Sequence, residues 1–389
     1  MISKKIVFII GLLCGGCIFF TVQKIHNDIV QKRQTNDIFV DKKQKLQEDG
    51  FCYCQDIQER DKINFDFLTK KTIRNIELGQ SFVDIFAVQD VDIQKKIMKE
   101  VFDKVKDTTP ENNNSIWITS DIHGDIVMLL RGLLKSGLVS WGGEVNVDNY
   151  TAYKDKTLKV VYPKVKINKN FKGLYINLGD IVNKRPFGIT SLYLLYDIYN
   201  QTREKDGKNN KVKIIIGNHE YADMLIEKFA KYSPYKQTLM KFIDMFDVYY
   251  EQNGISFTHA PLPKTIRPKD QMEVEQLKKQ ILNDKDYKVK HILWGVDAVG
   301  NIKSSVSVAR PSKISKCNVS GHTHGTVNLG YNDRNDVLNV ATDRFDKEAE
   351  KRGVIFAIDV GNKKVYSYTL NNKYQLQKNE LDKNLFDCQ

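Results

Sequence analysis

Ser120-Asp121-Ile122-His123-Gly124-Asp125 follows the apolar run Ile116-Trp117-Ile118-Thr119 and precedes Ile126-Val127-Met128-Leu129-Leu130. A short apolar run bounded by turn residues reads as a buried strand. The positions Ile126, Leu129, Leu130, Leu133 and Leu134 recur at helical spacing and close near Gly137. Asp121 and His123 are two apart, so at a strand end both side chains point the same way. Gly124 then lets the backbone turn into the helix. This is a strand, a polar tip and a helix, with the tip carrying a carboxylate and an imidazole.

Four more such tips follow in order. Leu174-Tyr175-Ile176-Asn177-Leu178 leads into Gly179-Asp180-Ile181-Val182-Asn183, and Val212-Lys213-Ile214-Ile215-Ile216 into Gly217-Asn218-His219-Glu220. Ile255-Ser256-Phe257-Thr258 leads into His259-Ala260-Pro261, and Cys317-Asn318-Val319-Ser320 into Gly321-His322-Thr323-His324-Gly325. The chain holds 7 histidines, and all but His26 and His291 sit in these tips. Scattered core histidines do not cluster that way. In open α/β sheets ligands gather beyond the carboxyl ends of the strands, so five tips there can meet at one site.

The residue types narrow the chemistry. His, Asp and an Asn amide oxygen suit borderline divalent ions such as Zn, Mn or Fe. There are too many such groups for one tetrahedral ion. A pair of ions about 3.5–4 Å apart, bridged by a carboxylate, uses them all. Such a pair lowers the pKa of a shared water and neutralises phosphoryl oxygens during in-line attack, which is metal-assisted phosphoester hydrolysis.

At 389 residues, 41% hydrophobic and 28% charged, the chain is long enough for one large or two ordinary domains. The net charge of +12 favours anionic partners in general. Lysine is spread along the whole chain rather than gathered in a patch, so no nucleic acid partner is expected. Residues 6–22 form one uncharged, mostly apolar run after Lys4-Lys5, about the shortest length that spans a bilayer. No small-residue cleavage site follows, which favours an uncleaved anchor over a removed signal peptide. A short tail before a single anchor places the body outside the cytoplasm, periplasmic or at the cell surface. Of 6 cysteines, Cys52, Cys54, Cys317 and Cys388 lie outside the anchor and are expected mainly as free thiols.

The domain plan is an anchor at 1–23, a polar stalk at 24–72, a catalytic domain at 73–372 with its core motifs at 116–325, and a polar tail at 373–389. Helical patterns run over 73–106, 191–199, 221–230, 235–246 and 271–283. Residues 138–172 depart from the strand–helix rhythm. Within them Lys164-Val165-Lys166-Ile167 alternates, giving a ribbon with one basic face. Closing strands are expected at 337–341, 354–360 and 364–370. Strand–helix units followed by successive strands favour a layered α/β sandwich.

The set Asp121-x-His123, Gly179-Asp180-x-x-Asn183, Gly217-Asn218-His219-Glu220, His259 and Gly321-His322-x-His324 resembles the calcineurin-like metallophosphoesterases. The resemblance implies a four-layer α/β/β/α sandwich. It implies that Asp121, His123 and Asp180 hold one ion, joined by His324, and that Asp180, Asn218, His259 and His322 hold the other. Asp180 would bridge, and His219 would protonate the leaving oxygen rather than bind metal. Asp-Ile-His-Gly-Asp, the Gly-Asn-His-Glu block and Leu138-Val139-Ser140-Trp141-Gly142-Gly143 look most like the phosphoprotein-phosphatase branch, with the bacterial Shewanella-like enzymes and the diadenosine tetraphosphatases nearest. The expected reaction is phosphomonoester hydrolysis on a phosphoprotein or a small phosphorylated metabolite. The alternatives are a nucleotide or lipid-linked pyrophosphohydrolase or phosphodiesterase, and a phosphate-binding pseudo-phosphatase.

The sequence departs from that branch where Gly-Asp-x-x-Asp-Arg-Gly is usual and Gly179-Asp180-Ile181-Val182-Asn183-Lys184-Arg185 stands instead. The usual Asp orients the acid histidine and favours its protonated form; Asn183 hydrogen-bonds but brings no charge. The usual Arg grips phosphate with a fork; Lys184 supplies a point charge, and Arg185 is one residue further on. Ala260-Pro261 after His259 is a third departure. Asn183→Asp is therefore expected to raise turnover or move the pH optimum alkaline, since a nearby carboxylate keeps an imidazole protonated to higher pH. A pH–rate profile unchanged by Asn183→Asp would remove this pairing.

Overall fold

The computed structural model describes residues 90–111, 114–151, 157–182, 187–203, 210–225, 236–261, 268–280, 292–293, 317–322, 330–331, 337–339, 353–370 and 375–381. In chain order the elements are helix α1 (Val91–Val105), strand β1 (Ile116–Thr119), α2 (Ile126–Lys135), β2 (Val139–Thr151), β3 (Thr157–Ile167) and β4 (Leu174–Asn177). Next come α3 (Gly188–Thr202), β5 (Val212–Ile215), α4 (Asn218–Leu225), α5 (Lys236–Phe242), β6 (Phe246–Asp247), β7 (Tyr250–Gln252) and β8 (Ile255–Thr258). The last are α6 (Gln271–Gln280), β9 (Asn318–Ser320), β10 (Gly330–Tyr331), β11 (Val337–Asn339), β12 (Gly353–Asp359), β13 (Lys364–Leu370) and β14 (Leu376–Leu381).

Among the described residues the strands form a sheet of seven in the order β14-β13-β12-β1-β4-β5-β6, a sheet of five in the order β10-β11-β9-β8-β7, and the two-stranded ribbon β2-β3. Strands β1, β4, β5 and β6 run parallel, as do β8, β9 and β11. β1 and β4 are buried along their whole length because their two faces serve two cores. Ile116, Ile118, Leu174 and Ile176 meet Phe257 of β8 and Val319 of β9 between the sheets. Trp117 and Tyr175, one residue out of phase, join the helices on the other side, among them Leu129 and Leu133 of α2 and Leu195 of α3. A continuous apolar run is what a strand buried on both faces requires.

The described residues thus build three layers, α/β/β. The second helical layer of the expected four-layer arrangement is not among them. No helix among the described residues is long and apolar enough to cross a membrane. The expected anchor and stalk at 1–72 lie outside those residues.

Several elements differ from the sequence reading. α1 begins at Val91, where the Asp90 carboxylate caps the N–H groups of Asp92 and Ile93, so the pattern over 73–106 is not one helix. The helix expected over 235–246 stops at Phe242, turns through a 3-10 segment at Ile243–Met245, and gives Phe246 to the sheet beside Ile214. The ribbon is the antiparallel pair β2–β3. Its basic face is partly neutralised, since Lys164 donates to Glu144 at 2.8 Å. Cys317, buried between the sheets, is disulfide-bonded rather than a free thiol. Asn253 and Gly254 both have positive φ and close the tight β7–β8 hairpin, the conformation Asn-Gly favours.

The expected polar tail begins with a strand instead. β14 pairs with β13 along its whole length. Leu376 packs toward the helix-side core and Leu381 toward the inter-sheet core, so the strand's apolar residues fall on opposite faces and leave no alternating pattern to read. Glu111, in the loop before β1, fastens this edge. Its carboxylate accepts from Lys378 at 2.6 Å and from the Tyr368 hydroxyl, with Lys135 at 4.0 Å. Partial burial alone would raise its pKa, but Lys378, Tyr368 and Lys135 together hold it below the ordinary 4.5. A depressed carboxyl stabilises the fold above its unfolded pKa and loses that contribution as pH falls through the folded value. Glu111→Gln is expected to lower the urea midpoint at about pH 7, with the gap to wild type closing by about pH 3. A gap of equal size at both pH values would contradict the clamp.

Candidate metal centre

The tips of β1, β4, β5, β8 and β9 lie at the carboxyl ends of parallel strands in both sheets. Backbone hydrogen bonds fix their relative position. Asp121 N–H donates to Gly179 O at 3.0 Å, His123 N–H to Asp180 O at 2.7 Å and Gly124 N–H to Ile181 O at 2.6 Å, which zips the β1 tip to the β4 tip. Gly321 N–H donates to His259 O at 2.8 Å and joins the β9 tip to the β8 tip. The two halves meet where His322 N–H donates to the Asp121 carboxylate at 3.0 Å and the His259 ring Nδ1 reaches Leu178 O at 2.6 Å. Asp125 has a structural task, capping α2 by accepting from Met128 N–H at 3.1 Å.

Four residues of these tips hold left-handed backbone without being glycine: Asp121 (φ 50°), His123 (φ 44°), Asp180 (φ 53°) and His322 (φ 63°). Such conformations cost roughly 1–3 kcal/mol each and gather where a site needs them. Gly217 and Gly321 permit close approach, because a side chain at Gly217 would collide with Asp180 and one at Gly321 with Ser120 and Asp121.

Asp180 is the hub. It is fully buried, with His123 Nε2 at 3.5 Å and His219 Nε2 at 3.8 Å from Oδ2, and His259 Nε2 at 3.4 Å from Oδ1. Two groups able to hold a cation share it, His123–Asp180–His219 and Asp180–His259–His322. Asn218 Oδ1 joins the second group, 2.9 Å from His259 Nε2 and 3.0 Å from His322 Nδ1. Asp121 is in neither group; its carboxylate accepts from the Ser120 hydroxyl and the His322 N–H. His324, Asn183, Lys184 and Arg185 lie outside the described residues.

Burial alone would raise the Asp180 carboxyl, but the imidazoles of His259 and His219 hold it well below the usual carboxylate range. Burial likewise opposes charge on His259, and Asp180 beside it overrides this and lifts the ring to about 9. Glu220 is fully buried and accepts four backbone N–H bonds, from Asp180, Gly217, Ile181 and Val182, at 2.7–3.0 Å. It ties the β4 and β5 tips together and touches no reacting position. Burial and Asp180 raise its carboxyl to about 7, against those N–H bonds.

The donor set fits cations. A carbonyl only accepts, so Leu178 O requires the proton of neutral His259 on Nδ1, and Val182 O at 3.1 Å requires the same of His123. The lone pairs at Nε2 then face the oxygens of Asp180 and Asn218, an arrangement only a proton or a cation makes favourable. Asp180 Oδ2 is buried with no hydrogen-bond partner. Backbone carbonyls that fix the histidine tautomer are what ligating histidines need. Those carbonyls, at Leu178 and Val182, have no sequence signal. Ser120, which bonds the Asp121 carboxylate, was also missed, although its place directly before Asp121 was a usable clue.

Residues 115–326 match the family model for calcineurin-like phosphoesterases. The chain belongs to that family and is a metal-dependent phosphoric ester hydrolase. Solved structures similar to it include a cold-active protein tyrosine phosphatase from a psychrophilic Shewanella species, with 13% identity over 71% of this chain and 82% of that one and a TM-score of 0.45. A Saccharomyces cerevisiae serine/threonine phosphatase similar to human PP5 has 14% identity over 74% and 90%, with a TM-score of 0.40. A diadenosine tetraphosphatase, so described provisionally, has 13% identity over 70% and 96%, with a TM-score of 0.35. Comparison with curated proteins finds no match.

Proposed function

We propose that this chain is a membrane-anchored phosphomonoesterase of the phosphoprotein-phosphatase branch, acting on phosphoproteins or small phosphorylated metabolites with a pair of divalent ions, Mn, Fe or Zn. The observation that carries this reading is Asp180, one buried carboxylate shared by two groups of imidazoles. Asp121, His123, Asp180 and His324 are proposed to hold one ion, and Asp180, Asn218, His259 and His322 the other. When bound, such ions neutralise phosphoryl oxygens and activate water. His219 is proposed to deliver a proton to the leaving oxygen as the P–O bond breaks, and its 29% exposed side chain, beside the closed His123, supports a place facing substrate. Asn183 would orient His219, and Lys184 and Arg185 would hold the substrate phosphate. Residues 1–23 are proposed as the anchor, with the catalytic body outside the cytoplasm; the disulfide-bonded Cys317 is consistent with an oxidising compartment.

The test uses the full-length protein in detergent. Its metal content is measured, then its turnover on a monoester, a bis-aryl diester, a phosphopeptide and a dinucleoside polyphosphate. Turnover of monoesters without the diester or polyphosphate supports the proposal. Preference for the diester or polyphosphate selects the phosphodiesterase or pyrophosphohydrolase alternative. Bound metal without turnover on any substrate identifies a pseudo-phosphatase.

A further inference from the structure

A cavity of about 480 Å³ opens at the other end of the same strands. Ile116, Leu174 and Lys211 line it where β1, β4 and β5 begin, and Tyr250 closes it from β7. Each of those strands is four residues long, so the cavity is removed from the tips that carry Asp121, Asp180 and Asn218 by roughly 13 Å of strand. The volume is that of a small-molecule site.

Its lining is one-sided in charge. Lys172, Lys211 and Lys213 are among the lining residues, and no Asp or Glu is among them. Lys211 Nζ donates to Lys169 O at 3.1 Å, which leaves two of its three N–H donors for another acceptor. Lys213 Nζ stands 5.1 Å from the Tyr250 ring centroid, a cation over an aromatic face. Lys213 is one of two lysines whose charge acts on the buried Asp247 carboxylate, which lies outside the lining and 3.8 Å from the other, Lys278. Beside the lysines the wall is mixed, with amides from Asn114, Asn210 and Gln252 and apolar surface from Phe171 and Leu174. With no carboxylate in the lining to offset Lys172, Lys211 and Lys213, the charge complement this cavity calls for is an anion.

We propose that this cavity is a second anion site, separate from the catalytic centre, that takes a phosphate dianion, either free or carried on a small apolar or aromatic group. Binding there does not need the metals. Polymeric anions are disfavoured because the lysines line a cavity of small-ligand size rather than an extended groove.

The test is calorimetric titration of the full-length, metal-loaded protein with phenylphosphonate, whose C–P bond this hydrolase chemistry does not cleave, and separately with inorganic phosphate. Two binding events are expected. One should follow competitive inhibition of turnover. The other should persist after chelation of the metals and weaken by about tenfold or more in Lys211→Gln/Lys213→Gln, the scale of lost charge-assisted bonds. Monoester turnover should stay at the wild-type value in that variant, and Lys211→Arg/Lys213→Arg should retain both events. Tighter binding of phenylphosphonate than of phosphate assigns the site to a phosphorylated organic molecule; equal binding assigns it to free phosphate. In the wild-type chain the ligand should also slow acetylation of Lys172, Lys211 and Lys213 relative to Lys378. A single binding event lost on chelation, or equal acetylation with and without ligand, overturns the proposal and leaves the catalytic reading untouched.

Discussion

Asp180→Asn is expected to abolish metal loading and to reduce phosphomonoester turnover by roughly 10³-fold or more, the scale lost when a main electrostatic contribution to the transition state is removed. The substitution changes one atom and little shape. An amide can still accept the His219 N–H that now reaches Asp180 Oδ1 at 3.0 Å, so the β4 and β5 tips should stay together. The negative charge is what goes. Three imidazoles stand within 3.8 Å of this carboxylate, and their lone pairs need either protons or cations between themselves and it. Without Asp180, His259 also loses the partner that lifts it to about 9, so it should titrate lower in the metal-free protein. Metal binding reads out independently of turnover. Added Mn²⁺ at a hundredfold excess over its Kd should stabilise the wild-type chain by about 2.7 kcal/mol and leave the variant unmoved. A variant that retains both metal and turnover would remove Asp180 as the bridge.

The strands that carry the site were legible because each is a short apolar run ending in a polar tip. Burial on both faces demands the run, and the site demands the tip. Ile116–Thr119, Leu174–Asn177 and Ile255–Thr258 are read this way from residue type alone. Leu376–Leu381 was not, because its two leucines serve different cores and the residues between them are polar. Phe246 has an apolar spacing that fits a helix, while pairing with Ile214 holds it in the sheet. Within the site, the gathering of Asp180 with His123, His219 and His259 was foreseen from order and chemistry. The contacts that hold the Asp121 carboxylate, from the Ser120 hydroxyl and from the His322 N–H 201 residues along the chain, leave no trace in spacing. The left-handed backbone at Asp121, His123, Asp180 and His322 is equally silent in sequence, since glycine is the residue that usually announces it.

His219→Asn separates two roles that geometry leaves together. His219 Nε2 lies 3.8 Å from Asp180 Oδ2, near the 3.5 Å of His123, and the two rings meet edge to face at 4.7 Å. On distance alone His219 belongs to the first cation group. Exposure argues otherwise. The His219 side chain is 29% exposed while that of His123 is closed off, and a proton donor must reach substrate whereas a ligand need not. If His219 is the acid, His219→Asn keeps its metals and loses roughly 10²–10⁴ in rate on substrates with poor leaving groups. Alkyl phosphates and phosphoserine peptides should show the full loss. An activated aryl ester, whose leaving oxygen needs little protonation, should show much less. The alkaline limb of the pH–rate profile should also disappear with the group that produces it. If His219 is a ligand, metal content falls and every substrate suffers alike. Full activity of His219→Asn on a phosphopeptide would exclude both roles and leave His123 and Asp180 to act without it.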